Sequence, residues 1–311
     1  MSLPDNLVRL AAFRFLEEQT LLAGEGGAIR RGVLERGFEY QGERVPLVGP
    51  KGIFKPRVLS DMPLTITTVA VAEGAVRPYD DVVGADGLLH YRYRGTDPRH
   101  PDNVGMRLAM IRRVPLVYLH GVVPGLYAAA WPVFVVGDDE QALSFTVSVD
   151  EKTVATLGNI EADDAEETPI RRRYATRLFQ QRLHQTDFRE RVVKAYRYHC
   201  AVCRLKRQEL IEAAHIVPDA DPLGEPSVAN GIALCKLHHS AFDANLMGIR
   251  PDCVIVIRGD VLRETDGPML VHGLQGFHEK SLHVPTRASW KPDPELLQDR
   301  FRRFLDASAG A

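Results

Sequence analysis

Cys200-Ala-Val-Cys203, then Glu212-Ala-Ala-His215-Ile-Val-Pro218, then Asn230-Gly-Ile-Ala-Leu-Cys235-Lys-Leu-His238-His239-Ser-Ala-Phe-Asp243, decides how the C-terminal half of this chain is read. A Cys-x2-Cys and a Cys-x2-His pair each offer two soft or borderline ligands across a tight turn, which suits a closed tetrahedral zinc site. Cys200, Cys203, Cys235 and His238 complete four ligands. Three of the chain's four cysteines fall into this spacing, which argues against chance burial of isolated thiols. A disulfide is the poorer reading, because no signal peptide opens the sequence and cytosolic thiols stay reduced. Cys253 stands in Cys253-Val-Ile-Val-Ile257, an apolar run predicted as a buried strand in which the thiol is a small hydrophobe.

The residues between and beside these pairs resemble the HNH, or ββα-metal, nucleases. Hydrolysis of a phosphodiester needs a base to activate water and a divalent cation to stabilise charge on the phosphoryl and leaving oxygens. By this resemblance His215, at the end of a short hydrophobic strand, is the general base, and Asn230 braces the loop between two strands and orients that base. His239 and Asp243 stand at i and i+4 on the following helix, hence on one face, and match the positions that hold the catalytic cation. Many members carry a His where this chain has Asp243, and a carboxylate there favours Mg²⁺ or Mn²⁺. Ala214 departs from the pattern, since the residue before the base is often a ligand. The cation then keeps more water or phosphate oxygens, unless Asp219, Asp221 or Glu212 reaches it.

Working outward, 311 residues suggest two domains. With 45% hydrophobic and 26% charged residues the composition is that of a soluble globular protein, and no apolar run approaches the ~20 residues of a membrane span. A cytoplasmic protein is expected. The net charge of −2 argues against indiscriminate coating of nucleic acid, but it hides an asymmetry. Glu161, Asp163, Asp164, Glu166 and Glu167 dominate residues 151–170, which reads as an exposed linker. Arg171, Arg172, Arg173, Arg177, Arg182, Arg189, Arg191, Lys194 and Arg197 follow it, with Thr186 as a candidate N-cap and Phe188, Val192 and Tyr196 on one helical face. Beside a nuclease motif, this basic run reads as a phosphate-contacting approach to the site. Asp293-Pro294-Glu295 opens a last helix whose apolar side holds Leu297, Phe301, Phe304 and Leu305.

The N-terminal half has a helical spacing over Leu7–Leu22, a weak helix-plus-hairpin pattern over 29–47, and a helix near Val104–Arg113. Extended segments recur at Leu64–Val71, Leu88–Arg94, Leu116–Val123, Tyr127–Val136 and Leu143–Val149, which predicts a barrel or curved sandwich. Arg77-Pro-Tyr79-Asp80-Asp81-Val-Val-Gly-Ala-Asp86-Gly87-Leu-Leu-His-Tyr91-Arg-Tyr93-Arg-Gly95 resembles the YDG signature of SRA domains, which flip modified cytosine out of duplex DNA. With Gly52-Ile-Phe-Lys-Pro56 and the HNH block, nearly the whole chain is similar to a bacterial group of HNH restriction endonucleases. A flipped pyrimidine needs aromatic faces and an acceptor for its exocyclic amine. The resemblance implies that Tyr79 and Tyr93 stack and that Asp81 accepts from N4.

The expected protein is α+β: an SRA/PUA-like curved β barrel with flanking helices over 1–150, an acidic linker over 151–170, and a zinc-stapled HNH domain over 171–311. The expected activity is that of a modification-dependent, type IV-like restriction endonuclease acting in defence. It would bind double-stranded DNA carrying modified cytosine, form a homodimer, and use structural Zn²⁺ with catalytic Mg²⁺ or Mn²⁺. Two alternatives stand beside it. One is an HNH nuclease whose N-terminal domain reads a backbone modification or an unmodified site, and the other a catalytically inactive zinc-stabilised DNA-binding regulator.

Overall fold

The computed structural model describes residues 3–23, 27–70, 88–149, 169–218, 221, 224–265 and 267–309. The chain forms two compact units, Met1–Thr186 and Asp187–Ala311. Of the acidic linker expected over 151–170, residues 151–168 lie outside the described residues, as do Tyr79, Asp81 and Asp219, while Pro169 and Ile170 begin a helix.

In the first unit, α1 (Leu3–Ala23) buries Val8, Ala12 and Leu16 at i, i+4 and i+8, while Leu7, Leu10 and Leu22 stay exposed. β1 (Ile29–Arg30) and α2 (Arg31–Arg36) lead into a hairpin of β2 (Phe38–Tyr40) and β3 (Glu43–Val45). Its turn residues Gln41 and Gly42 both have positive φ, 52° and 82°, as a two-residue turn matched to strand twist requires. The main sheet comprises β1, β4 (Ile53–Phe54), β5 (Thr65–Thr68), β6 (Leu89–Arg92), β7 (Leu116–Val123), β8 (Leu126–Asp139) and β9 (Ser144–Val149). Its order is β4-β5-β7-β8-β9-β6, with β1 also paired to β8. The β5–β7 pair is parallel and the others are antiparallel.

β8 curls the sheet into a half-barrel: its first part pairs with β7 and its second with β9, and the register shifts between Val135 and Gly137. Leu116 and Tyr118 enter one core with Met106 and Ala109 of α3 (Pro101–Ile111), whereas Val117 and Leu119 enter another with Val8, Ala12 and Leu16. Both faces are therefore covered, which is why β7 reads as an unbroken apolar run without alternation. The helix expected near Val104–Arg113 starts earlier because Pro101 occupies its first turn and His100 Nδ1 accepts from the Asp102 amide.

The second unit opens inside α4 (Pro169–Ala195). Thr186 was expected to cap a helix, but α4 runs through it, since 170–195 hold neither Gly nor Pro to stop propagation. Phe188, Val192 and Tyr196 are buried as one face. β10 (Ile211–His215) and β11 (Gly231–Cys235) pair antiparallel, Ile211 against Cys235 and His215 against Gly231, and α5 (Lys236–Asp243) follows at once. A Cβ on Gly231 would lie 2.3 Å from Val192 Cγ2 and 2.9 Å from Phe188 Cζ, so glycine lets α4 lie against the hairpin.

β12 (Met247–Ile249) and β13 (Ile255–Ile257) form a second hairpin, and Cys253 sits in the turn before β13, at φ 61°, instead of in the strand. α6 (Gly259–Arg263), α7 (Pro268–Gly273) and α8 (Pro294–Ala309) complete the unit. Asp293 caps α8, its Oδ1 accepting from the Glu295 amide at 2.8 Å. Leu297 and Phe304 are buried but Leu305 is exposed, so the apolar stripe of α8 is centred on 297, 300 and 304. The Phe304 ring lies against Gly248 of β12.

Candidate metal centre and hydrolytic site

The turn Cys200–Arg204 closes with Arg204 N donating to Cys200 O at 3.1 Å, and Ala201 N ties it to β11 through Ala233 O at 2.7 Å. Cys235 ends β11 and His238 lies one helical turn on, so the fold converges four ligand atoms within 4.8 Å of one another. Cys203 and Cys235 sulfurs are 3.9 Å apart. Tetrahedral vertices ~2.3 Å from zinc lie about 3.8 Å apart, so the Cys₃His group fits zinc. His238 Nδ1 faces the sulfurs, 3.0 Å from Cys235 and 3.5 Å from Cys200, while its Nε2 donates to Gly273 O at 2.8 Å. The α7 carbonyl thereby fixes the ring, as an acceptor on the far nitrogen does for ligating histidines. Hydrogen bonds from Cys203, then Cys235, hold the Cys200 thiol well below its usual range. Burial opposes charge on His238, but its hydrogen bonds to Cys200 and Cys203 raise it to about 9. Cys253 stands outside the group.

At the other end of the hairpin, His215 stacks on Phe188, with centroids 3.8 Å apart and planes at 10°. Asn230 is fully buried. Its Oδ1 accepts from Val217 N at 2.9 Å, and its Nδ2 donates to Val217 O and Glu225 O, each at 3.0 Å. Ile216 N also donates to Asn230 O at 2.9 Å, so this one residue clamps the chain immediately after His215. His239 lies between two carboxylates: Nδ1 is 2.6 Å from Glu212 Oε2, and Nε2 is 3.3 Å from Asp243 Oδ2. Of the two described acids considered for the gap left by Ala214, Glu212 contacts His239 and Asp221 is bound by Arg303 at 2.9 Å. His239 and Asp243 share a face, and a nitrogen beside an exposed carboxylate oxygen is a donor pair that could take a divalent cation.

Arg300 of α8 was not singled out in the sequence. It is buried, lies 4.4 Å over the Phe242 ring, and donates to Phe242 O and Asn245 Oδ1, closing the C-terminal end of α5 beside Asp243. Burial lowers its pKa, and the charge of Asp243 opposes that shift. The available signal was its position, i+3 from Leu297 and i−4 from Phe304, which puts a cation on the apolar stripe.

The basic run is partly structural. Arg189 donates to Ile211 O at 2.8 Å and Glu190 at 2.6 Å, which ties α4 to β10, and Arg191 donates to Asp187 one turn back on α4 at 3.2 Å. Lys194, Arg197, Arg204, Lys206 and Arg207 are exposed and have no acidic partner among the described residues.

In the first unit, a cavity of about 490 Å³ is walled by Lys51, Thr67, Thr68, Tyr91, Arg94 and His100, among others. Tyr93 reaches its lining but is 4% exposed, and its ring stacks on Phe145 at 4.5 Å. Its hydroxyl donates to Asp138 and accepts from Arg107, and burial with the Asp138 contact pushes it up to about 12. One face of the Tyr93 ring is thus taken by Phe145.

This hairpin, helix and Cys₃His group define a ββα module with a metal-binding staple. Residues 200–250 match the family described as HNH endonuclease. The chain thus carries an HNH endonuclease domain and is a DNA nuclease. Among solved structures it is similar to one titled "Modification dependent TagI restriction endonuclease", at 16% identity over 77% of this chain and 81% of that one, with a TM-score of 0.28. No curated protein matches the sequence. No helix among the described residues is long and apolar enough to cross a membrane.

Proposed function

We propose that the chain is a modification-dependent restriction endonuclease that binds duplex DNA through a modified cytosine and cuts nearby phosphodiesters at the HNH module. The observation that carries the hydrolytic part is the joining of His215, Asn230, His239 and Asp243 on one stapled hairpin and helix. In this reading His215 takes the proton from the attacking water, and Phe188 holds its ring plane. Asn230 fixes the backbone after the base, so the imidazole keeps its aim. His239 and Asp243 would hold a divalent cation, which supplies charge stabilisation at the phosphoryl and leaving oxygens. Exposed Lys194, Arg197, Arg204, Lys206 and Arg207 would take phosphates. One such centre cuts one strand, so a double-strand break calls for a homodimer or two successive nicks.

The sensing part is supported by the cavity, whose volume lies within the ~300–1,000 Å³ of small-ligand sites, and by the Tyr79–Gly95 signature. Tyr79 would stack and Asp81 would accept from the base amine, while Tyr93 shapes the wall from the core. In a His215→Ala background, with divalent cation withheld so that cleavage is suppressed, the full chain is expected to bind duplexes with modified cytosine more tightly than the unmodified sequence. Asp81→Ala should erase that preference and leave salt-sensitive phosphate binding. Equal binding of modified and unmodified duplexes by the His215→Ala parent, across several cytosine modifications, would mean that the first unit reads something else.

A further inference from the structure

We propose that Glu212 is a positioning residue that selects the tautomer of His239 and so makes Nε2, beside Asp243, the metal-binding nitrogen. The inference rests on the reading that His239 and Asp243 hold the cation, and it gives a role to a residue outside that pair. Strand alternation puts Glu212 and Ala214 on the same side of β10, and Ala214 offers no ligand atom. Glu212 pairs across the hairpin with Leu234, one step in from Cys235, and α5 begins directly after Cys235. The first turn of α5 therefore brings His239 over Glu212.

Both carboxylate oxygens of Glu212 are engaged: Oε2 at 2.6 Å from His239 Nδ1, and Oε1 at 3.6 Å from Lys236 Nζ. Glu212 thus acts through the imidazole. An ionised carboxylate only accepts, so the proton of a neutral His239 belongs on Nδ1 and the lone pair on Nε2. Nε2 lies 3.3 Å from Asp243 Oδ2. Two acceptors that close are stable with a cation between them. The side chain of Asp243 is 65% exposed and Glu212 19%, so a cation reaches this pair from solvent on the Asp243 side. The arrangement is that of a carboxylate–histidine–metal triad, in which the outer carboxylate sets ring orientation and basicity.

The test uses the full, zinc-loaded chain and Mn²⁺, with unbound ion counted by electron paramagnetic resonance. Glu212→Leu is expected to weaken Mn²⁺ binding by ~10–100-fold with zinc content and thermal unfolding unchanged. Glu212→Gln, whose amide oxygen still accepts from Nδ1, should retain most of the affinity, and Asp243→Ala should lose it. Long-range ¹⁵N–¹H spectra of the Mg²⁺-loaded wild type should show a proton on His239 Nδ1 and none on Nε2. If Glu212→Leu binds Mn²⁺ like the wild type while Asp243→Ala does not, Glu212 has no such role and the metal pair stands. A wild type that binds no ion besides zinc overturns both. Should the leucine variant fail to fold, a wild-type spectrum with the proton on Nε2 still refutes the proposal.

Discussion

Cys203→Ser, or removal of zinc by a chelator, is expected to unfold the second unit. The Cys₃His group joins the turn at 200–203 to the end of β11 and the start of α5, so every catalytic element hangs from it. Structural zinc contributes roughly 10–16 kcal/mol of apparent binding energy in small domains, against the ~5–15 kcal/mol by which a whole domain is stable. Losing one thiolate leaves two sulfurs and an imidazole crowded around a polar void. Elemental analysis should find one zinc per chain in the wild type and none in the variant, whose second unit should lose its cooperative thermal transition. The two cores of the first unit draw no residue from Asp187–Ala311, so its transition should persist. A well-folded wild type without zinc would refute this.

His215→Ala is expected to lower the cleavage rate by the ~10²–10⁴-fold that loss of a general base costs, with DNA affinity nearly unchanged. The separation of the two effects follows from the structure. Asn230 holds the loop after His215 through Val217 and Glu225, and the exposed cations stand on other segments. Single-turnover cleavage at saturating DNA, with binding measured separately, checks it. A variant that cuts at the wild-type rate with the same metal would remove His215 from the chemistry.

Most of the metal centre was legible in the sequence because zinc ligands come in short-range pairs: Cys200 with Cys203, and Cys235 with His238, are each set by a single turn. The strands of the first unit were legible as windows, since Gly, Pro and Asp-rich turns punctuate them. Their order was not, because the parallel β5–β7 pairing and the two partners of β8 depend on contacts far apart in the chain. Thr186 misled because capping residues are tolerated inside a helix that nothing interrupts. Arg189 looked like free charge, yet its partner Ile211 O becomes visible only once α4 lies on the hairpin, whereas Asp187, the partner of Arg191, stands four residues back on the same helix. Nor was it visible that Phe145, across the β6–β9 edge, stacks on one face of Tyr93.

The most direct test is cleavage of supercoiled plasmid by the zinc-loaded full chain, with Mg²⁺ or Mn²⁺ present or withheld, on DNA that is unmodified, cytosine-methylated or hydroxymethylated. Nicking or linearisation of a cytosine-modified plasmid is expected only when the divalent ion is present, with the unmodified plasmid left intact. Cleavage that ignores the modification would contradict the sensing role of the first unit, and absence of cleavage on every plasmid with either metal would contradict the hydrolytic site itself.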